Sequence, residues 1–159
     1  MEIKGFEAHD HKACIVDGMG VAEAVCADQG LQLTPVRRRV LEILLSHHRA
    51  LGAYEVLDIL RAEGLGSQPP VAYRALDFLV KHGFVHRIER LNAFIACSAP
   101  TEDHAPTFLI CRKCSAIAET PARRAGRALR NTATELGFEV ERVAMEAEGV
   151  CPACQEGAA

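Results

Sequence analysis

Cys111-Arg-Lys-Cys114 and Cys151-Pro-Ala-Cys154 are the densest concentration of chemistry in the chain. A two-residue spacer lets both sulfurs of a pair bind one ion. Two such pairs supply the four thiolates of a tetrahedral Zn²⁺ site. A sphere closed by four protein ligands leaves no position for water, so the reading is a structural site. The 36 residues between the pairs (115–150) exceed the about 15 to 20 of a simple zinc ribbon. A folded unit must therefore intervene and bring the pairs together. The rival reading is a redox dithiol or free thiols. A thioredoxin-type role needs only one pair, at a helix start, so two pairs favour metal.

A second set is looser: His86, Cys97, His104 and Glu119. Imidazole, thiolate and carboxylate all suit Zn²⁺, and four of them close its sphere. Each residue alone reads more plainly as a structural histidine, a core cysteine or a solvated acid. Their placement where the chain changes texture makes them a candidate for an ion that orients one half against the other. His9, Asp10, His11 and Cys14 form a third group, on a segment that looks too loose for a cage. Cys26 falls on an apolar stripe and reads as core. The His47-His48 pair reads as meeting a helix dipole or solvent.

The elements that must hold these residues follow from periodicity. The N-terminal stretch 1–18 reads as a flexible arm, closed by Gly18 and Gly20. A short helix is expected over 21–29, capped by Gly30. Thr34-Pro35 is a helix start, and Val36, Val40, Ile43 and Leu44 then recur on one face to about residue 47. A third helix is expected over 53–63. Pro69-Pro70 opens a fourth, over 71–82, with Ala75, Leu76, Leu79 and Val80 facing the core. Two strands, 84–89 and 93–97, form a hairpin. Helices followed by a hairpin outline a winged helix-turn-helix domain over 19–97. A polar linker covers 98–106. A small α+β domain over 107–159 then has strands at 107–110, 117–119 and 138–147 and a helix at 122–136. The fold class is α+β.

Bulk properties narrow the function. The chain has 159 residues, 49% of them hydrophobic and 5% aromatic, with no Trp. A real core of aliphatic side chains is expected, in one domain or two small ones. The net charge of −3 excludes a uniformly basic nucleic-acid binder and a disordered acidic chain. Yet segment 34–90 holds nine basic residues against six acidic, leaving nine against fifteen elsewhere. A basic segment on a helix-turn-helix is the expected footprint of DNA binding; the plainer alternative is a solvated helix face. No apolar run reaches the ~18 residues of a membrane span, and no signal peptide is evident. The expected location is the cytoplasm. Seven cysteines in that reducing compartment point to metal rather than a disulfide framework. No His-Glu-x-x-His motif is present and the proposed sites are closed, so an enzyme is not expected.

At this point the sequence resembles the ferric-uptake-regulator family, and most closely its zinc-uptake-regulator branch. The segments that carry the resemblance are Leu33-Thr34-Pro35-Val36-Arg37, the run Pro69-Pro70-Val71-Ala72-Tyr73-Arg74-Ala75-Leu76-Asp77-Phe78-Leu79, Gly83-Phe84-Val85-His86, and the two cysteine pairs. The resemblance covers roughly residues 21–155. It implies a dimeric, metal-dependent repressor with an N-terminal winged helix and a C-terminal dimerisation domain. It assigns Cys111, Cys114, Cys151 and Cys154 to structural zinc, and His86, Cys97, His104 and Glu119 to sensory zinc, two ions per subunit. A cysteine in the sensory set suits zinc better than iron. The resemblance also places Tyr73 and Arg74, with Arg37, in contact with duplex DNA carrying a pseudo-palindromic operator. The family's usual Thr-Val before Tyr-Arg is Val71-Ala72 here. The nearest alternative is an iron, manganese or peroxide-responsive regulator on the same fold.

Overall fold

The computed structural model describes residues 6, 10–47, 49–102 and 104–157. His9 and His48, singled out above, lie outside them. The chain divides into two compact units, Ala8–Thr101 and Glu102–Ala159.

The first unit begins with α1 (His11–Gln29), which starts ten residues before the helix expected from periodicity. The Asp10 carboxylate caps it, accepting from the Lys12 N–H at 2.9 Å. Gly18 and Gly20 had read as breakers, but they sit inside the helix. The reason is a stripe that runs past them. Ile15, Met19, Ala22 and Cys26 recur at i, i+4, i+7 and i+11, and they pack into the core. Gly18 lies on α2 (Pro35–Leu45), where an added Cβ would meet Leu45 Cδ2 at 2.7 Å. The missing side chain thus lets two helices approach closely.

Helix α2 opens as expected, with Thr34 Oγ1 accepting from the Arg37 N–H at 3.3 Å and Pro35 in the first turn. Helices α3 (Ala53–Ala62) and α4 (Pro69–Lys81) follow. Both prolines of Pro69-Pro70 fall within the first turn of α4, where a missing N–H costs nothing. Ala72, Ala75, Leu76 and Leu79 form its buried face, against Val40, Leu44, Val56 and Leu60. The wing is β1 (Val85–Ile88) paired antiparallel with β2 (Ala93–Ala96), His86 opposite Ile95. Leu51 extends this sheet by exchanging both backbone hydrogen bonds with Phe94 at 2.8 and 2.9 Å. That exchange ties the wing to the loop before α3. Asn92 takes φ 47 at the wing tip, a conformation its short polar side chain tolerates.

The second unit holds β3 (Thr107–Cys111), β4 (Ile117–Thr120), α5 (Arg123–Glu135), β5 (Met145–Gly149) and α6 (Pro152–Glu156). The sheet order is β4-β3-β5, with β3 antiparallel to β4 and parallel to β5. The strand expected over 138–147 is corrected by this topology: only its end, from Met145, is strand. The apolar alternation at 138–143 does not mark a buried sheet face, since Phe138 is exposed while Val143 is buried in a non-strand segment. Backbone pairing to β3 defines β5, whose residues 146–149 are all exposed. The five-residue α6 was not expected; a single turn leaves no periodicity to read. On α5 only Gly126 and Ala133 are buried. Among the described residues, no helix is long and apolar enough to cross a membrane.

Leu76 is fully buried at the contact of α4 with α2 and α3. Leu76→Ala should lower the stability of the first unit by ~2–5 kcal/mol, read as a lower urea midpoint by circular dichroism. A shift within error of wild type would mean that α4 is not seated by this contact.

Candidate metal centres and nucleic-acid interface

The parallel pairing of β3 with β5 places Cys111 in register with Gly149, and the Arg112 N–H donates to the Gly149 carbonyl at 2.9 Å. Cys151 follows two residues later. The long gap between the two cysteine pairs is therefore closed by one strand pairing. Each pair is then shaped locally. The first sits at a hairpin turn in which the Ser115 N–H donates to the Cys111 carbonyl at 2.9 Å and Ser115 takes φ 62. In the second, Cys151 caps α6, and the Cys154 N–H reaches its carbonyl at 3.0 Å.

The ligand atoms of Cys111, Cys114, Cys151 and Cys154 all lie within 4.8 Å of one another. Cys114 Sγ and Cys151 Sγ are 3.7 Å apart. A tetrahedral ion at about 2.3 Å from each sulfur requires sulfurs about 3.8 Å apart, so the donor set fits Zn²⁺. The electrostatics agree. Backbone N–H groups of Cys151, Cys114 and Lys113 converge on Cys111, that of Cys151 at 3.4 Å, and lower its pKa to about 6. Hydrogen bonding to the charged form favours it. Cys154 is pushed up to about 12, because it shares its protons with Cys151 and Cys114 and crowds a thiolate at Cys111. Cys114 is raised overall by its sulfur neighbours and burial, against the lowering hydrogen bond from Ala116. One thiolate is at ease in this group; four require a cation.

The second set is found in two halves, one in each unit. On the wing, His86 of β1 and Cys97, one residue past β2, present ligand atoms within 4.8 Å of each other. The Cys97 N–H donates to the Phe84 carbonyl at 2.9 Å, which holds the strand end in place. In the second unit, His104 Nε2 lies 2.7 Å from Glu119 Oε1, and both side chains are buried. His104 Nδ1 lies 2.7 Å from the Glu102 carbonyl, to which it donates. With Nδ1–H committed to that carbonyl, Nε2 is the nitrogen that shares a proton with Glu119 and that would offer its lone pair to a metal once the proton is lost. Burial opposes the charged form of His104, but the Glu102 carbonyl and the Glu119 carboxylate outweigh it and raise the pKa. Imidazole, thiolate and carboxylate are donors that Zn²⁺ accepts.

The three consecutive arginines of α2 serve the fold. Arg37 stacks its guanidinium 3.8 Å above the Phe78 ring on α4 and donates to the Gln32 carbonyl at 2.6 Å. Arg38 pairs with Glu23 of α1, and Arg39 makes a two-pronged contact with Glu63 at 2.7 and 2.8 Å. Arg37, expected to touch DNA, braces α4 from α2 through its contact with Phe78. Tyr73 and Arg74 stand exposed on α4, as that expectation required. Lys81, counted in the basic segment, is exposed on the same helix face two turns further on. Its spacing from Arg74 (i+7) is the sign of that shared face.

The Ferric uptake regulator family model matches residues 28–148. The Zinc uptake regulation protein of Escherichia coli (strain K12) is 38% identical over 138 residues, covering 85% of this chain and 80% of that protein. Among solved structures, a zinc uptake regulator complexed with zinc and DNA superposes with a TM-score of 0.87 at 34% identity, covering 91% of this chain and 97% of that one. Holo XcZur superposes with a TM-score of 0.81 at 38% identity, covering 88% and 98%.

In metal-free protein, alkylation of the buried Cys111 should rise with a pH midpoint near 6, while the more exposed Cys154 stays protected through neutral pH. Because the pKa of Cys111 is lowered on folding, its contribution to stability is present above the unfolded thiol range and is lost as pH falls through about 6. Added Zn²⁺ should protect all four cysteines. Mass spectrometry after timed alkylation reads both; equal labelling of all four without metal would contradict the shared-proton arrangement.

Proposed function

Because the chain belongs to the ferric uptake regulator family, we propose that it is a zinc-responsive DNA-binding transcriptional repressor, acting on genes of zinc uptake. The observation that carries this reading is the donor chemistry of the second set: a thiol, Cys97, beside His86 on the wing, with the His104–Glu119 pair in the other unit. One thiolate among nitrogen and oxygen donors favours Zn²⁺ over iron or manganese.

In this reading Cys111, Cys114, Cys151 and Cys154 hold a structural ion. His86, Cys97, His104 and Glu119 hold the sensory one, two per subunit. A bound Zn²⁺ supplies a charge that replaces the protons on these donors and links them. Cys97 gives up its thiol proton and His104 the proton it shares with Glu119, so sensing weakens as pH falls. Since the donors come from both units, ligation biases how the wing is held. The zinc-loaded state is the one in which α4 enters the major groove. Whatever factor zinc gives to DNA affinity, DNA gives back to zinc affinity.

Tyr73 and Arg74 approach the duplex, Arg74 to a guanine edge or a phosphate. Arg37 supports them by holding Phe78 and hence α4. A second copy of the chain completes the reader on a pseudo-palindromic operator. The second unit offers surface for that copy: Leu129, Leu136 and Phe138 are exposed, and β5 is an edge strand.

The deciding measurement is duplex binding to the chain's own upstream DNA across buffered free Zn²⁺, with Fe²⁺ and Mn²⁺ in parallel. Binding should appear as zinc rises, and Cys97→Ala should require at least about tenfold more zinc. Zinc-independent binding, or binding driven by iron, would leave the fold and remove the zinc-sensor reading. Arg74→Ala should cost ~1–3 kcal/mol if it reads a base. If it meets a phosphate, the salt slope should fall by about 1 instead. No change in either quantity would place Arg74 off the DNA.

A further inference from the structure

The solvent face of α4 carries one continuous stripe: Pro70, Tyr73, Arg74, Asp77 and Lys81, all exposed. Asp77 is the one acidic side chain in it. It follows Arg74 by three residues and precedes Lys81 by four, spacings at which helical side chains are neighbours. Among the described residues its carboxylate nonetheless forms no ion pair or side-chain hydrogen bond. Other charges in the same unit are matched, Arg38 with Glu23, Arg39 with Glu63, Arg49 with Glu55 at 2.9 Å and Arg61 with Asp58 at 3.4 Å, whereas among the described residues Asp17 and Asp28 of α1 stand exposed and unpaired as Asp77 does. A carboxylate thus stands at the centre of the face proposed to meet DNA.

Laid against a duplex, that carboxylate is repelled by phosphates whatever the sequence. The repulsion is offset only where a base edge offers a donor. The major groove offers two amino donors, cytosine N4 and adenine N6; the adenine amino group stands beside the N7 acceptor, which repels a carboxylate, so cytosine is the better match. Guanine O6 and N7 and thymine O4 are acceptors and repel it. We infer that Asp77 is a specificity-determining residue that accepts a hydrogen bond from a cytosine amino group at one position of each half-site. The inference rests on the proposed reading of α4 as the recognition helix. Three residues advance about 4.5 Å along a helix. That is one to two base-pair steps of about 3.4 Å, so the position read by Asp77 lies that far from the one reached by Arg74.

The test uses the full zinc-loaded chain and a duplex library randomised across the half-site, with wild type, Asp77→Ala and Asp77→Asn. Wild type should prefer cytosine at one position by about tenfold. Asp77→Ala should flatten that position alone. Asp77→Asn should move its preference to adenine, whose N6 and N7 an amide matches. A uniform change in affinity across all sequences in both variants would reduce Asp77 to a bare charge and overturn the inference. So would an unchanged preference. Wild type that binds no duplex at any zinc level would instead overturn the DNA reading on which the inference stands.

Discussion

Four sulfurs within 4.8 Å cannot all be ionised unless a cation sits among them. Much of the second unit follows from this constraint. The unit is small, its helix α5 buries only two residues, and β5 has an exposed surface. Apolar burial therefore does little to hold β5 and α6 in place. The strand pairing Cys111 with Gly149 brings the sulfurs together, and an ion held by them would make its binding part of the unit's folding free energy. The backbone N–H groups around Cys111 show how far the protein alone can go: they accommodate one thiolate near neutral pH and leave Cys154 strongly protonated.

The first unit solves a different problem. It must present one helix rigidly and leave that helix's outer face clear. The apolar contacts of Ala72, Ala75, Leu76 and Leu79 set the depth and rotation of α4. Arg37, held over Phe78, closes the side toward α2. The wing is registered to the same body through Leu51 and Phe94, so His86 and Cys97 are carried on a strand pair that cannot slide freely against α4. A ligand event at the wing thus acts on a rigid body rather than on a loose hairpin. Bistability of such an element is what lets a single ion change DNA affinity.

Charge counting was a blunter guide than packing. The excess of basic residues over 34–90 is real, but four of the nine, Arg38, Arg39, Arg49 and Arg61, are held in ion pairs within the unit. Arg38 and Arg39 clamp α2 to α1 and to the end of α3, and surface pairs of this kind add little energy individually. Arg74 and Lys81, on α4, are exposed and enter no ion pair among the described residues.

Local chemistry written into neighbouring residues was legible without coordinates. The Cys-x-x-Cys pairs, the Thr34-Pro35 start, the Pro69-Pro70 start and the strand alternation of the wing each depend on residues a few positions apart. Resemblance then supplied the expected ligand sets and the pair expected to contact DNA. Three things needed the tertiary structure. The length of α1 depended on a stripe of Ile15, Met19, Ala22 and Cys26 that gains its meaning only against α2, where Gly18 serves as a contact surface and not a break. The extent of β5 depended on which backbone lay beside it, because its own side chains are solvated. The role of Arg37 depended on an aromatic ring 41 positions away in sequence. Short-range patterns encode what a residue does to its neighbours along the chain; only the packed fold decides which distant group it meets.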